Sequence, residues 1–324
     1  MGAFQMESCK TLVVGGAGYL GGLTVDLLRQ KYFSTSVCDT LMYEDRYLKD
    51  VMFYNTDVRN TDEIVEITKR LNCNNIVIMA AIVGDAACNV NQKLTEEVNY
   101  QAVKNLCEKL PEDVHVIFMS TCSVYGANKN IVDETSKTNP LSAYASTKLR
   151  AEKHVLDRNG TIFRLGTVYG LGDQFSRIRA DLVVNTLTIK AFSEGEVTVF
   201  GGNQWRPVIS AKDVAGYVVE ACERREEVAG LYNISYKNVT ISDIANTVKS
   251  VFPDIKINKT GHLFEDERNY KVSNKKSKKV FKYEPLYRII EEVQDLKSLL
   301  AEGRIKDPTN INYHNGMFLA QKRI

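Results

Sequence analysis

Eleven residues near the start, LVVGGAGYLGG (12–22), restrict the fold more than any other stretch. Gly15, Gly18 and Gly21 stand three residues apart, and Gly16, Gly18 and Gly21 spell G-x-G-x-x-G. An apolar run, TLVVGG, leads in, and an amphipathic run, GGLTVDLLRQK, leads out. A strand that enters a helix through so tight a turn needs glycine, because the chain passes where no side chain fits. The helix start then offers main-chain amides and the positive end of its dipole to an anion. The pattern predicts a dinucleotide-binding strand–turn–helix unit, with Gly15, Gly18, Tyr19, Leu20 and Gly21 around the pyrophosphate.

The first half repeats this alternation. STSVCD, MFYNTDV, NIVIMAA, VHVIFMS and GTIFRLG read as strands. TDEIVEITKRL, TEEVNYQAVKNLCEKL and SAYASTKLRAEKHVL read as helices, the first capped by Thr61 and the last by Ser142. Continuous apolar strands between helices imply a parallel sheet covered on both faces. After about residue 166 the rhythm weakens. RADLVVNTLTIKAFSEG, AKDVAGYVVEACER, TISDIANTVKSVF and RIIEEVQDLKSLL read as helices, with strands EVTVFG and GLYNIS between. The basic run SNKKSKK reads as a solvated face.

Composition removes several function classes. A 44% hydrophobic fraction over 324 residues suits a large core, and a net charge of +2 argues against nucleic acid or a membrane as partner. No apolar run reaches membrane-spanning length, and the N-terminus lacks the order of a signal peptide. The seven cysteines, at 9, 38, 73, 88, 107, 122 and 222, form no C-x-x-C pair, and the four histidines are far apart. Reduced thiols, a cytoplasmic location and no metal site are the expectation.

Asp39 closes the second strand, eighteen residues beyond Gly21. A carboxylate there accepts hydrogen bonds from the adenosine ribose diol and repels a 2′-phosphate. The first arginine after it is Arg46, so NAD is favoured over NADP. Asp57 and Val58 close the third strand, where a carboxylate can meet the adenine amino group. Ala80, Ala81 and Ile82 close the fourth, and small residues there leave room for a cofactor.

In SAYASTK, Tyr144 and Lys148 stand four residues apart and share a helix face. A free phenol has a pKa of about 10 and is a poor base at neutral pH. A neighbouring ammonium stabilises the phenolate and lowers that value. Tyr144 can then take a hydroxyl proton while hydride leaves the same carbon for a nicotinamide. The stretch STCSVYG (120–126), one strand-to-helix step earlier, sets further hydroxyls beside this pair.

In chain order, GGAGYLG, CDTL, DV at 57, AA at 80, Asn99, STCSVYG, YASTK, FRLGTVYG, Asn185, RPVISAKDVA and DERNYKVS resemble the extended short-chain dehydrogenase/reductases. These are the NAD-dependent nucleotide-sugar epimerases and dehydratases, and the resemblance spans nearly the whole chain. It implies an α/β fold: a Rossmann-type doubly wound parallel sheet with a smaller C-terminal substrate-binding subdomain. Residues 1–165, with about 207–235, would bind NAD; about 166–206 and 236–324 would bind a nucleotide sugar. It implies Thr121 as the hydroxyl that holds the substrate's reacting oxygen, Tyr144 as acid/base and Lys148 on the nicotinamide ribose. Ser120 would end its strand beside the cofactor, and Asn99 would steady the helix beneath it. Asn185, Arg206, Arg268 and, more weakly, Arg179 would hold the substrate diphosphate. Asp85 is a candidate contact for the sugar, and Cys88 reads as packed. A homodimer built on the helices starting near Thr95 and Ser142 is implied as well.

Two departures narrow the chemistry. Dehydratases of this group carry Asp-Glu straight after the catalytic hydroxyl, where this chain has Cys122 and Ser123. Neither supplies a comparable acid/base pair at neutral pH, so loss of water is disfavoured. Ser210 replaces a histidine common in relatives, which touches loop geometry and not the redox centre. The expected function is oxidation of a ring hydroxyl, C4 in most relatives, by a 4-epimerase or C4 dehydrogenase. An NADPH-dependent 4-ketoreductase and a catalytically inactive nucleotide-binding regulator are the alternatives.

Overall fold

The computed structural model describes residues 9–44, 46–260 and 269–322, so Arg268 lies outside the described residues. Five strands come first: β1 (Lys10–Val14), β2 (Ser34–Asp39), β3 (Met52–Asn55), β4 (Asn75–Ile78) and β5 (His115–Thr121). A short β6 (Ile131–Val132) precedes β7 (Thr161–Leu165) and β8 (Thr167–Tyr169). Then follow β9 (Glu196–Phe200), β10 (Trp205–Ser210), β11 (Gly230–Ile234), β12 (Lys237–Thr240), β13 (Lys256–Thr260) and β14 (Lys271–Val272).

Seven of these make one sheet in the order β3-β2-β1-β4-β5-β7-β11. Every neighbouring pair in it is parallel. This is the doubly wound Rossmann arrangement, whose strand order reverses between β1 and β4. The apolar runs are continuous because both faces are covered. Leu12, Val14, Ile76, Ile78, Val116 and Phe118 pack in one core cluster. Their alternates Val13, Val77, Ile117 and Phe163 pack in the other. Each such side chain contributes roughly 1.5–3 kcal/mol by leaving water, so the sheet's order is fixed from both sides.

The second half adds small sheets: β12-β10-β8, β13-β9 and β14-β6. Trp205–Ser210 therefore stands apart from the main sheet, while the chain returns to it through the helix Ala211–Arg224 and β11. The helices Val183–Glu194, Ile241–Val251 and Ile289–Ala301 close over a third core that includes Val184, Leu187, Val197, Ile244, Val248 and Val293. Lys275, Lys276, Lys278 and Lys279 of the basic run are exposed.

Local signals account for most helix ends. The Ser142 hydroxyl accepts from the Ala145 amide, and Thr240 with Asp243 forms a reciprocal capping box. Thr61 differs from expectation: it is buried as the first helical residue, and Asn60 occupies the cap position without a side-chain bond. The helix expected from Arg179 begins only at Val183; Leu182 before it is extended, and Arg179 pairs with Asp181 ahead of the first turn. The helix expected from Thr95 to Leu110 runs on to Lys109 but carries a widened, π-type turn at Glu97–Gln101.

Candidate active site

A cavity of about 1680 Å³ opens at the carboxyl ends of β1, β2, β4 and β5. The glycine loop forms its floor. Gly15 has φ +89°, and a Cβ there would lie 2.8 Å from the Ala80 Cα. A Cβ on Gly21 would lie 2.7 Å from the Gly16 Cα. Neither neighbour is a flexible side chain, so both positions require glycine. Asp39 holds the turn shut from the side: its carboxylate accepts from the Ala17 amide at 3.0 Å and the Leu41 amide at 2.9 Å. Burial raises its pKa, against three main-chain donors that lower it.

The rest of this half is mostly apolar. Gly18, Tyr19, Leu20, Val58, Ala80, Ala81 and Ile82 line the cavity. Asp57 also lines it, two residues past the end of β3. Burial pushes the Asp57 carboxyl up, but hydrogen bonds from Arg59 outweigh that and lower it. Asn99 stands behind the wall, fully buried on the widened turn. Its amide accepts from the Ile82 N–H at 2.8 Å and donates to the Ile82 carbonyl at 2.9 Å. Its effect on a ligand thus passes through the Ile82 backbone.

Thr121, Tyr144 and Lys148 all reach the same cavity. Thr121 ends β5, and its hydroxyl accepts from the Ser123 amide at 3.1 Å. Lys148 is 2% exposed, with its ammonium 4.5 Å from the centre of the Phe118 ring. Burial pulls its pKa down to about 8, so the ammonium still predominates at neutral pH. Ser120 lines the cavity too, and its hydroxyl donates to Glu152 at 2.5 Å. Glu152 in turn pairs with Arg164 through two bonds, and Arg164 donates to the Tyr125 hydroxyl. This buried chain fixes β5 and β7 to the helix Ala143–Asp157 that carries Tyr144 and Lys148.

STCSVYG thereby sorts by direction. Cys122 is fully buried, donates to the Arg164 carbonyl at 3.1 Å and is held neutral by burial. Ser123 faces the cavity. Cys88 packs as expected, donating to the Ile82 carbonyl, with burial raising it to about 11. All seven cysteines are free thiols.

The opposite wall comes mainly from the second half, with Asp85 added from the start of the helix after β4. Asp85, Arg179 and Arg206 line the cavity, and Arg206 is 7% exposed. Asn185 does not: it is buried, accepting from the Gly170 amide and donating to the carbonyls of Gly170 and Arg179. It shapes the wall through that main chain. Sequence reasoning missed Arg177, Lys190, His314 and Asn315, which also line the cavity. Arg177 precedes Arg179 by two residues, a spacing that puts both on one side of an extended chain. No local signal announced the C-terminal pair.

A glycine cradle without room for Cβ, a carboxylate at the end of β2 and a crevice at the strand-order reversal fit a nicotinamide dinucleotide. The model of the NAD dependent epimerase/dehydratase family matches residues 11–235. The chain belongs to that family. Its cofactor is NAD. Among relatives, the UDP-glucose 4-epimerase of Halalkalibacterium halodurans is 26% identical over 318 residues, covering 86% of this chain and 92% of its own. The Thermus thermophilus UDP-glucose 4-epimerase, solved with NAD, superposes with a TM-score of 0.76 at 21% identity, covering 89% of this chain and 99% of that one. The dTDP-glucose 4,6-dehydratase of Bacillus anthracis, also solved with NAD, gives 0.75 at 20% identity, covering 92% and 98%. Epimerases and dehydratases of this family thus share the fold, and the side chains at the cavity must separate their chemistry. Among the described residues of this member, no helix is long and apolar enough to cross a membrane.

Proposed function

We propose that this family member oxidises a ring hydroxyl, C4, of a nucleotide-linked sugar, as a 4-epimerase or C4 dehydrogenase. The observation that carries the reading is the convergence of Thr121, Tyr144 and Lys148 on one cavity while Cys122 points away from it. Bound NAD supplies a hydride acceptor. The Thr121 hydroxyl orients the reacting oxygen, and Tyr144 as phenolate takes its proton as the carbon gives up hydride. Lys148, charged below about pH 8, favours that phenolate. If the resulting ketone turns over in the cavity and takes hydride back on its other face, Tyr144 returns the proton and the product is an epimer. If the ketone leaves, the enzyme is a dehydrogenase.

Dehydration needs a further acid and base beside Thr121. Cys122 is buried behind the cavity wall, and Ser123 brings only a hydroxyl. Arg206 and Arg179 suit the sugar nucleotide's or the cofactor's phosphates, since a guanidinium binds phosphate through paired donors. The test is incubation of purified protein with UDP-, GDP-, dTDP- and CDP-sugars, with products followed by NMR and NADH by absorbance. An epimer or a keto sugar is expected from one of them. A 4-keto-6-deoxy product, or no turnover of any, refutes the reading.

A further inference from the structure

The segment Gly170–Asp181 runs from β8 to the helix Val183–Glu194, and several of its contacts reach across to the cofactor half. The Tyr19 hydroxyl donates to the Gly170 carbonyl at 2.8 Å. Asp173 pairs with Lys49, a buried cation that also donates to the Gly22 carbonyl at 2.6 Å and pairs with Asp26 at 2.8 Å. A Cβ on Gly22 would lie 2.7 Å from the Asp173 carboxyl carbon, so the segment rests directly on the first turn of the helix Tyr19–Gln30. Farther on, the Arg177 amide donates to Glu44 at 2.8 Å, and the Arg177 guanidinium stacks 3.7 Å over Tyr43. Arg179 sits 6.0 Å over the Tyr19 ring. The far end is tied down by the Asn315 amide, which donates to Asp181 at 3.1 Å.

We propose that Gly170–Asp181 is a strap over the bound dinucleotide, and that Arg177 and Arg179 grip the cofactor's diphosphate, leaving the sugar nucleotide's diphosphate to Arg206. Both arginines line the cavity, and their partners Tyr19, Tyr43 and Glu44 border the glycine loop and the end of β2. Among the described residues, Arg177 donates to the Asn312 carbonyl and the Asn315 side chain, and Arg179 donates twice to Asp181. A guanidinium has five donors, so each retains some for an anion. Burial, and then the nearby Arg179, pull Arg177 down to about 10, a cost that a diphosphate between them would relieve. The consequence is slow cofactor exchange, as a reaction that returns its hydride would use. The inference rests on NAD as cofactor and not on which sugar turns over.

The experiment follows NADH leaving the protein, by loss of its fluorescence on adding excess NAD, with no sugar present. A calorimetric titration with UDP on the NADH-loaded protein is run alongside. In Arg177→Gln and Arg179→Gln, NADH should leave at least about tenfold faster, the loss of a charge-assisted bond, with UDP affinity unchanged. Asp173→Asn keeps both arginines and loosens only the pin, and should also speed release. Unchanged NADH release in the arginine variants overturns the proposal, and so does an equal weakening of NADH and UDP. Weakened UDP with normal NADH release assigns the arginines to the substrate instead. A normal release rate in a folded Asp173→Asn removes the strap's pin.

Discussion

The two walls of the cavity are built on different principles. The cofactor wall, from β1, β2 and β4, is built around a glycine turn and main-chain amides held by Asp39 and Asn99. The facing wall carries long cations, Lys190 and Arg206, beyond the main sheet, with Arg177 and Arg179 of the strap between the two walls. Backbone recognition suits a ligand that does not vary, because it leaves nothing to exchange but glycine itself. Side-chain recognition from loops can change partner by substitution without disturbing a strand. A common cofactor and divergent substrates in one family follow from that division.

The sharpest way to break the comparison is at the seam, where chemistry belongs to neither wall. Tyr144→Phe keeps the ring and removes the hydroxyl. Turnover should fall by roughly 10²- to 10⁴-fold, the usual contribution of a general acid/base. NADH binding and the melting temperature should stay near those of the parent. Unchanged turnover takes Tyr144 out of the reaction.

Next comes the backbone wall itself. Gly15→Ala adds one methyl group at φ +89°, against the Ala80 main chain. Strained backbone of that kind costs roughly 1–3 kcal/mol before any clash. Stability in urea should drop by at least that much, and dinucleotide should be lost on gel filtration. Arg206→Gln on the other wall should leave both measurements alone and weaken only the sugar nucleotide. Loss of cofactor from Arg206→Gln would mean that the walls are not separate.

How legible the site was depended on the same division. Glycine spacing, continuous apolar strands and the Ser142 and Thr240 caps are local, and each strand named in the first half exists within a few residues. The second wall depends on where distant segments come to rest. His314 and Asn315 reach the cavity only because the C-terminal helix Asn315–Lys322 packs on the helix Asp85–Val90, which nothing in either stretch announces. Asn185, expected on the substrate diphosphate, is instead consumed by main chain away from the cavity, and Asn99 is likewise consumed by the Ile82 backbone. The widened turn at Glu97–Gln101 left no trace in the apolar period, because Leu94 before it, Val98 within it and Ala102 after it are all buried.

The smallest effect is expected from pH, where individual buried groups respond with opposite sign. His115 is buried in β5 beside the Thr161 hydroxyl at 2.9 Å, and burial lowers its pKa from 6.5 to about 4. Between those values the unfolded chain binds the proton and the folded one does not, so stability rises with pH. The contribution is complete above pH 6.5 and is lost as pH falls to about 4. The gap corresponds to roughly 3 kcal/mol at most. Burial has the other sign at carboxyls, raising Asp39, Asp213 and Glu292. These groups take up protons on folding, so they favour the folded chain as pH falls through their range. Urea unfolding at pH 7 and pH 5 separates the two in His115→Gln. The parent should lose about 2 kcal/mol more than the variant between these pH values. Equal losses would place the acid sensitivity of the fold elsewhere than in the strand that leads to Thr121.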